Sequence, residues 1–205
     1  MGSKVAVFSY LIIAANILVF LQSITNPELY NQLIETYSLV PKEVMRGENL
    51  LSLVTSMFLH ANILHLGLNM FFLLLSGDMV ERELGNFRFL GLYLACGVIA
   101  GLFHSYLNSA STIPTIGASG AIFGVLAALA ILFPFRWLLK LFGFIPIPMP
   151  AILFVFITIL TETAYVSSGV IENVAHTAHV GRLPSRRILD STVYTQKTSR
   201  EGMTR

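Results

Sequence analysis

Apolar residues are concentrated in six runs along the chain, separated by shorter polar segments. The first five runs are each about 18 to 20 residues long, which suits a helix crossing a hydrocarbon core of about 30 Å, and the sixth is too short. The candidate spans are residues 5–22, 61–80, 89–107, 116–134, 148–167 and 169–181. This pattern predicts an all-α polytopic membrane protein, a six-helix transmembrane bundle with a shortened or disrupted sixth helix.

The segment between the first two spans is too long for a simple turn. It runs from residue 22 to about residue 50 and contains Pro27, Pro41 and four glutamates. We expect an interfacial or partly embedded loop there. The first apolar run is not followed by a clear small-residue cleavage site, so we interpret it as a retained span.

Composition agrees with this pattern. Of the 205 residues, 55% are hydrophobic and 12% are charged, which lies outside the range of ordinary soluble domains. The single cysteine, Cys96, excludes a disulfide framework. We expect the lipid bilayer and membrane proteins as partners, and no nucleic acid.

The distribution of positive charge predicts the orientation. If the N terminus is cytoplasmic, 11 of the 13 Lys and Arg residues lie on the cytoplasmic side, and only Lys42 and Arg46 lie outside. Cytoplasmic loops of membrane proteins carry this excess of basic residues. The prediction is a multi-pass protein of the cell membrane in which the fourth span begins at the outer face.

The head of the fourth span carries one serine among small residues, in the sequence GASGAIFG at 117–124. Gly117 allows a turn into the helix, and Ser119 then lies in the first turn, where free N–H groups favour developing negative charge. Gly120 and Gly124 share a face that admits a neighbouring helix. Taken alone, the octet favours a packing role in which the serine caps the helix; the functional alternative is a nucleophile.

The second span and its leading edge carry polar residues amid Leu, Met and Phe. His65 and Asn69 are four residues apart, so both side chains project from one helix face and could hold an oxyanion. Hydrogen bonding between helices is the structural alternative. A haem or metal site is a third option, with ligands from His60, His65, His176 and His179.

The sixth segment presents a histidine beside small residues, in the sequence AHTAHVG at 175–181. Ala175, Ala178 and His179 share one face, which is complementary to the glycine face of the fourth span. We expect this packing to bring an imidazole towards Ser119, and a serine with a histidine base can form an acyl-enzyme. No acidic residue is clearly placed to complete a triad.

Other motifs favour structural roles. We interpret Glu81 as an anchor for helix ends, the small residues at 97–101 as packing, and His104 as an interfacial side chain. Pro146, Pro148 and Pro150 are expected to delay the fifth helix until about residue 148.

Together these motifs resemble the rhomboid intramembrane serine proteases. The match comprises Phe58-Leu59-His60 and the pair His65 and Asn69 in the second span, the sequence GASG at 117–120, and Ala178-His179 with Gly181 in the sixth, and it covers about residues 38–181. The resemblance implies a six-helix core with Ser119 as nucleophile and His179 as general base and then acid. It implies an oxyanion hole formed by His65, Asn69 and the Ser119 N–H. It also gives Phe123 a role in supporting the catalytic histidine.

The chain differs from the family pattern in two places. The family usually has a tryptophan–arginine pair in the first loop, whereas the only tryptophan here is Trp137. In the sixth span, basic residues and Pro184 follow Gly181 where the family continues with apolar residues. We therefore divide the chain into a rhomboid-like transmembrane protease domain, residues 1–181, and a polar, basic tail, residues 182–205, expected to be disordered.

The predicted function is cleavage of peptide bonds in or near transmembrane segments of other membrane proteins by a Ser119–His179 dyad, with no metal and no cofactor. An inactive relative that binds membrane-protein clients is the first alternative. A bis-histidine cofactor protein is the second, and it needs no serine at a glycine-flanked helix start.

Overall fold

The computed structural model describes residues 5–142 and 145–167. Contacts divide the chain into two units, residues 1–160 and 161–205. The described part of the second unit is the end of the last helix, residues 161–167. The predicted sixth segment, residues 169–181, and the predicted tail lie outside the described residues. The helices are α1 (Phe8–Thr25), α2 (Pro27–Tyr37), α3 (Pro41–Met45), α4 (Ser52–Thr55), α5 (Ile63–Leu84), α6 (Asn86–Leu107), α7 (Ser119–Leu132) and α8 (Ala151–Ser167).

Three of these helices, α1, α5 and α6, are long and apolar enough to cross a membrane. Helix α7 is apolar but has only 14 residues, and the apolar part of α8 runs over Ala151–Thr161. The prediction of a mainly helical, polytopic membrane fold is confirmed.

The sequence pattern does not predict the one element of a different kind, at residues 137–150 of the described chain. Strands β1 (Trp137–Phe142) and β2 (Ile145–Pro150) form an antiparallel hairpin between α7 and α8. Trp137 pairs with Pro150, and Phe142 pairs with Ile145. Prolines at every second residue of β2 exclude a helix there, and α8 begins at Ala151, about three residues later than expected.

Glu81 joins the end of α5 to the start of α1, as its expected anchoring role requires. The fully buried carboxylate accepts hydrogen bonds from the backbone N–H groups of Val7, Phe8 and Ser9, at 2.9, 2.8 and 2.8 Å, and from the Ser9 hydroxyl at 2.6 Å. The first N–H groups of a helix have no partner within it, so Glu81 satisfies donors that α1 itself leaves without an acceptor.

The loop between α1 and α5 contains α2, α3, α4 and a 3₁₀ turn at Ser56–Phe58. It is tied to the segment before α7 by a backbone bridge between Leu39 and Thr115, with N–H to O distances of 3.0 and 2.7 Å, and by the Lys42 N–H, which donates to the Ser111 carbonyl at 3.0 Å. This anchoring uses no tryptophan–arginine pair.

The small residues of α6 receive side chains of this loop. The Met57 side chain lies against Gly97, where an added Cβ would overlap its thioether. At Gly101 an added Cβ would lie 3.0 Å from both Leu39 Cδ1 and Leu53 Cδ2. The small-residue spacing at 97–101 therefore serves packing, as expected, and its partners are this loop and Ala121 of α7.

Candidate active site

Ser119 is the first residue of α7, directly after the helix cap at Ala118. Its side chain is exposed, and its Oγ has no hydrogen-bond partner among the residues that the structure describes. The serine hydroxyl therefore does not cap the helix. It stands at the end of α7 where free N–H groups and the helix dipole stabilise negative charge.

Gly117 connects this helix start to the second span. Its φ of +121° lies in a region that side-chain-bearing residues rarely adopt. The Gly117 N–H donates to the Ser56 carbonyl at 2.9 Å, which fixes the turn. A Cβ added at Gly117 would lie 2.7 Å from both Cε1 and Nε2 of His65, so the imidazole rests against the glycine backbone.

His65 lies in the first turn of α5, and its half-buried ring is brought to Gly117 by the way α5 begins. Asn62 is the cap of that helix, and its side-chain oxygen accepts from the His65 N–H at 2.8 Å. The polar residue at 62 is therefore explained by capping. Asn69, one turn after His65, is buried, and its Nδ2 donates to the His65 carbonyl at 2.9 Å.

His60 is the nearest ionisable neighbour of His65. The two rings meet edge to face with centroids 4.9 Å apart. His60 is 2% exposed, and neither of its ring nitrogens has a hydrogen-bond partner within the described part of the chain. Burial, and secondarily the proximity of His65, lower the pKa of His60 from 6.5 to about 3. The ring is therefore neutral at physiological pH.

A cavity of about 160 Å³ opens beside Ser119, between α6, the first loop and the segment that precedes α7. Its polar lining comes from Ser56, His104, Thr115 and Ser119, and small residues of α6 and α7 line much of the rest. His104 Nε2 and Thr115 Oγ1 are 3.1 Å apart. The sequence interpretation of His104 as an interfacial side chain missed this contact. The contact depends on how the end of α6 is placed relative to the loop that carries Thr115, eleven residues later.

The glycine face of α7 packs on α6. Gly124 packs directly on the Cys96 side chain, and a Cβ added at Gly120 would lie 2.5 Å from Ala100 Cβ. Helix α6 therefore packs on this face, and the sixth segment that is expected there lies outside the described residues. Phe123, between the two glycines in the sequence, is half-buried and packs against the main apolar core.

His179 and its rival His176 lie outside the described residues. No group of three or more His, Cys, Asp or Glu side chains that could hold a metal ion occurs within the ranges the structure describes. The arrangement that is described is thus an exposed serine at a helix start, a small cavity beside it, and an imidazole held at the preceding glycine.

Several apolar helices and an exposed serine hydroxyl at the start of one of them define a multi-pass membrane protein with a candidate active site. The Rhomboid domain family matches residues 47–183, which is more than half of the chain. The chain belongs to the rhomboid family, which includes serine intramembrane proteases as well as inactive members.

Curated relatives support this assignment. The chain is 38% identical over 123 residues to the rhomboid protease GluP of Bacillus subtilis, covering 60% of this chain and 24% of that protein. It is 31% identical over 140 residues to the mitochondrial rhomboid protein 1 of Saccharomyces cerevisiae, covering 66% of this chain and 38% of that protein. It is 45% identical over 84 residues to the chloroplastic rhomboid-like protein 11 of Arabidopsis thaliana, covering 41% of this chain and 29% of that protein. The matched stretches thus span about a quarter to two fifths of these relatives.

Proposed function

We propose that this protein is an intramembrane serine endopeptidase that cleaves peptide bonds in or near transmembrane segments of membrane-protein substrates. The observation that carries the proposal is the contact of the His65 imidazole with Gly117, two residues before the exposed Ser119. The His65 imidazole, a hydrogen-bond donor, and the first turn of α7 are thereby both close to the region where an adduct on Ser119 would form. Packing alone does not require a polar ring at that position.

In this mechanism Ser119 Oγ attacks the carbonyl carbon of the scissile bond, and the hydroxyl proton passes to His179. The carbonyl oxygen becomes an oxyanion, which the Ser119 N–H and the His65 imidazole stabilise. The proton then moves from His179 to the leaving amine, and water hydrolyses the acyl-enzyme with His179 acting again as base.

Asn69 contributes the third donor in this proposal. One hydrogen of its Nδ2 is used by the His65 carbonyl, at 2.9 Å. An amide nitrogen carries two hydrogens, so the second remains for the oxyanion. The first bond has a use of its own, since it holds the Asn69 amide on the helix face that carries His65.

A substrate must expose its scissile carbonyl. Membrane helices keep their carbonyls in internal hydrogen bonds, so a substrate has to unwind locally before attack. We therefore expect small or helix-destabilising residues near the cut site. We propose the cell membrane as the location, and the excess of basic residues on one side supports a cytoplasmic N terminus.

The test is cleavage of a single-span substrate by the purified chain in lipid vesicles. The Ser119→Ala variant should lose all turnover, and Ser109→Ala, which changes an exposed serine of the loop before α7, should retain it. A fluorophosphonate probe should label the native chain and the Ser109→Ala variant, but not Ser119→Ala. Retained cleavage or labelling in Ser119→Ala would overturn the assignment.

An inactive, client-binding relative is the second candidate. It is favoured by the basic residues and Pro184 that follow Gly181, because they shorten the segment that carries His179. In that case neither the native chain nor the variants would cleave, and a transmembrane substrate would still copurify intact with all three.

A further inference from the structure

The hairpin between α7 and α8 is fixed to the protein by one of its faces. Leu138 of β1 and Met149 of β2 pair with each other and are 8% and 5% exposed, as part of the main core. On the same face, Lys140 Nζ donates to Thr158 Oγ1 of α8 at 2.9 Å and lies 5.4 Å from the centroid of the Phe154 ring. The hairpin is thus held in a defined orientation on α8.

Its opposite face presents large apolar side chains. Trp137 and Leu139 alternate with the buried positions of β1 and are 67% and 61% exposed. Ile145, at the other end of β2 from the helix and on the same face as Met149, is also exposed, at 66%. A patch of this kind on a small element marks an interaction surface.

The residues that flank the hairpin in the chain are also apolar and exposed. Ile131 near the end of α7 is 79% exposed, Phe135 just after it is 81% exposed, and Ile152 in the first turn of α8 is 53% exposed. In a multi-pass membrane protein, apolar side chains on the outside of apolar helices face lipid. The hairpin surface therefore extends a surface whose partner is the bilayer.

The free edge of β2 is suited to a poorly hydrated environment. In an antiparallel pair, successive residues of a strand alternately direct their N–H towards the partner strand and away from it. Pro146, Pro148 and Pro150 occupy every second position of β2, so the bonds to β1 are left to Ile145, Ile147 and Met149. The positions that would direct N–H groups to the free edge are prolines, and this edge carries no unsatisfied donor.

An unsatisfied N–H costs several kcal/mol in lipid, and an unprotected edge also invites pairing with other strands. The alternation of prolines removes both problems at the β2 edge. Arg136, directly before β1, is exposed at the base of the hairpin, where a cation can reach lipid headgroups.

We propose that the 137–150 hairpin lies in the headgroup and acyl-chain boundary of the leaflet at which α7 ends and α8 begins. Trp137 and Leu139 insert into this boundary, and Lys140 with Thr158 holds the opposite face on the protein. Tryptophan is enriched at this level of a membrane because its ring is both apolar and able to donate a hydrogen bond.

Trp137 is the only tryptophan of the chain, so tryptophan fluorescence reports on the hairpin without any substitution. The experiment reconstitutes the full chain in vesicles of phosphatidylcholine and phosphatidylglycerol. The phosphatidylcholine is brominated near the carbonyl end, in the middle or near the methyl end of the acyl chains. Aqueous iodide is the opposing quencher, and free N-acetyltryptophanamide gives the aqueous limit.

We expect emission shifted to the blue of N-acetyltryptophanamide and weak quenching by iodide. Quenching by shallow bromine should be about twofold stronger than by the deepest, because interfacial groups lie about 5–10 Å below the surface. Trp137→Phe provides the fluorescence blank. In the Trp137→Phe background, Tyr106→Trp places a tryptophan at an exposed position near the end of α6. Its quenching by the same reagents is the reference with which the quenching of Trp137 is compared.

Two outcomes would overturn the proposal. Quenching by iodide at the level of the free reference, without quenching by bromine, would mean that the hairpin stands in water. Protection from both quenchers would mean that protein covers Trp137. Neither readout depends on proteolytic activity, so the proposal can fail or succeed independently of the proposed function.

Discussion

The His65 imidazole lies against the backbone of Gly117. If residue 117 carried a Cβ, that atom would lie 2.7 Å from both Cε1 and Nε2 of the ring. The space for the ring therefore exists only because residue 117 has no side chain. The same residue has a φ of +121°, so two independent constraints require glycine there.

Gly117→Ala should accordingly displace the His65 ring and strain the turn before Ser119. We expect cleavage to fall by about 10-fold or more, since strain of this kind costs about 1–3 kcal/mol. The measurement is the rate of substrate cleavage, with thermal unfolding in parallel. Gly91→Ala is the matched control, because Gly91 lies in α6 with open space around it, and it should retain full activity.

Glu81→Gln should destabilise the junction of α1 and α5. The substitution keeps the shape but replaces one acceptor oxygen by an NH₂ group that faces N–H donors. Hydrogen bonds to a charged group are worth about 1.5–3 kcal/mol, so we expect the free energy of unfolding to fall by about 2–3 kcal/mol. Thermal unfolding in detergent measures this. Glu48→Gln, at an exposed loop position, should leave the transition unchanged, and an unchanged Glu81→Gln would contradict the anchoring role.

His60 predicts a dependence of stability on pH. Its pKa is about 3 in the folded chain, below the ordinary value of 6.5, so the unfolded chain binds more protons between these values. The contribution of neutral His60 to the stability of the folded chain is fully present above about pH 6.5 and is lost as the pH falls towards about 3. The apparent melting temperature should therefore decrease between about pH 7 and about pH 4.

In His60→Phe this decrease should be smaller, because the group that must remain neutral is absent. The comparison uses the slope against pH, so that a uniform change in stability does not affect it. Equal slopes in the native chain and the variant would show that His60 does not control acid stability.

Thr115→Val should weaken the link between α6 and the segment before Ser119. It removes the contact with His104 and leaves the backbone bridge to Leu39 intact. The loss of one hydrogen bond of about 1 kcal/mol should slow cleavage about fivefold with little change in melting temperature. Thr112→Val, at an exposed position of the same segment, is the control and should behave as the native chain. An effect of equal size in both variants would count against a specific role for the His104 contact.

The helices could be predicted from the sequence where the signal is local. Long apolar runs determine α1, α5 and α6, because burial in lipid requires only length and hydropathy. The structure of residues 137–150 is harder to predict from the sequence. The alternation of proline with Ile and Met has the period of a strand, but it was interpreted as a delay of the next helix.

Contacts between elements could be predicted less well. The spacing of Gly120 and Gly124 correctly indicates close approach of another helix but does not say which one, and the structure shows α6 there. Four-residue spacing places His65 and Asn69 on one helix face. It does not reveal that the Asn69 amide first donates to a carbonyl one turn back in its own helix, a common local bond of polar side chains.

The length of α7 determines how far below the membrane surface the chemistry would occur. At 1.5 Å per residue its 14 residues make about 21 Å of helix, about 9 Å less than a hydrocarbon core of about 30 Å. If the hairpin end of α7 is level with one boundary of that core, Ser119 begins about 9 Å inside the other. Peptide bonds at that depth are the ones this serine could reach, and water would have to descend to them past the loop at 108–117.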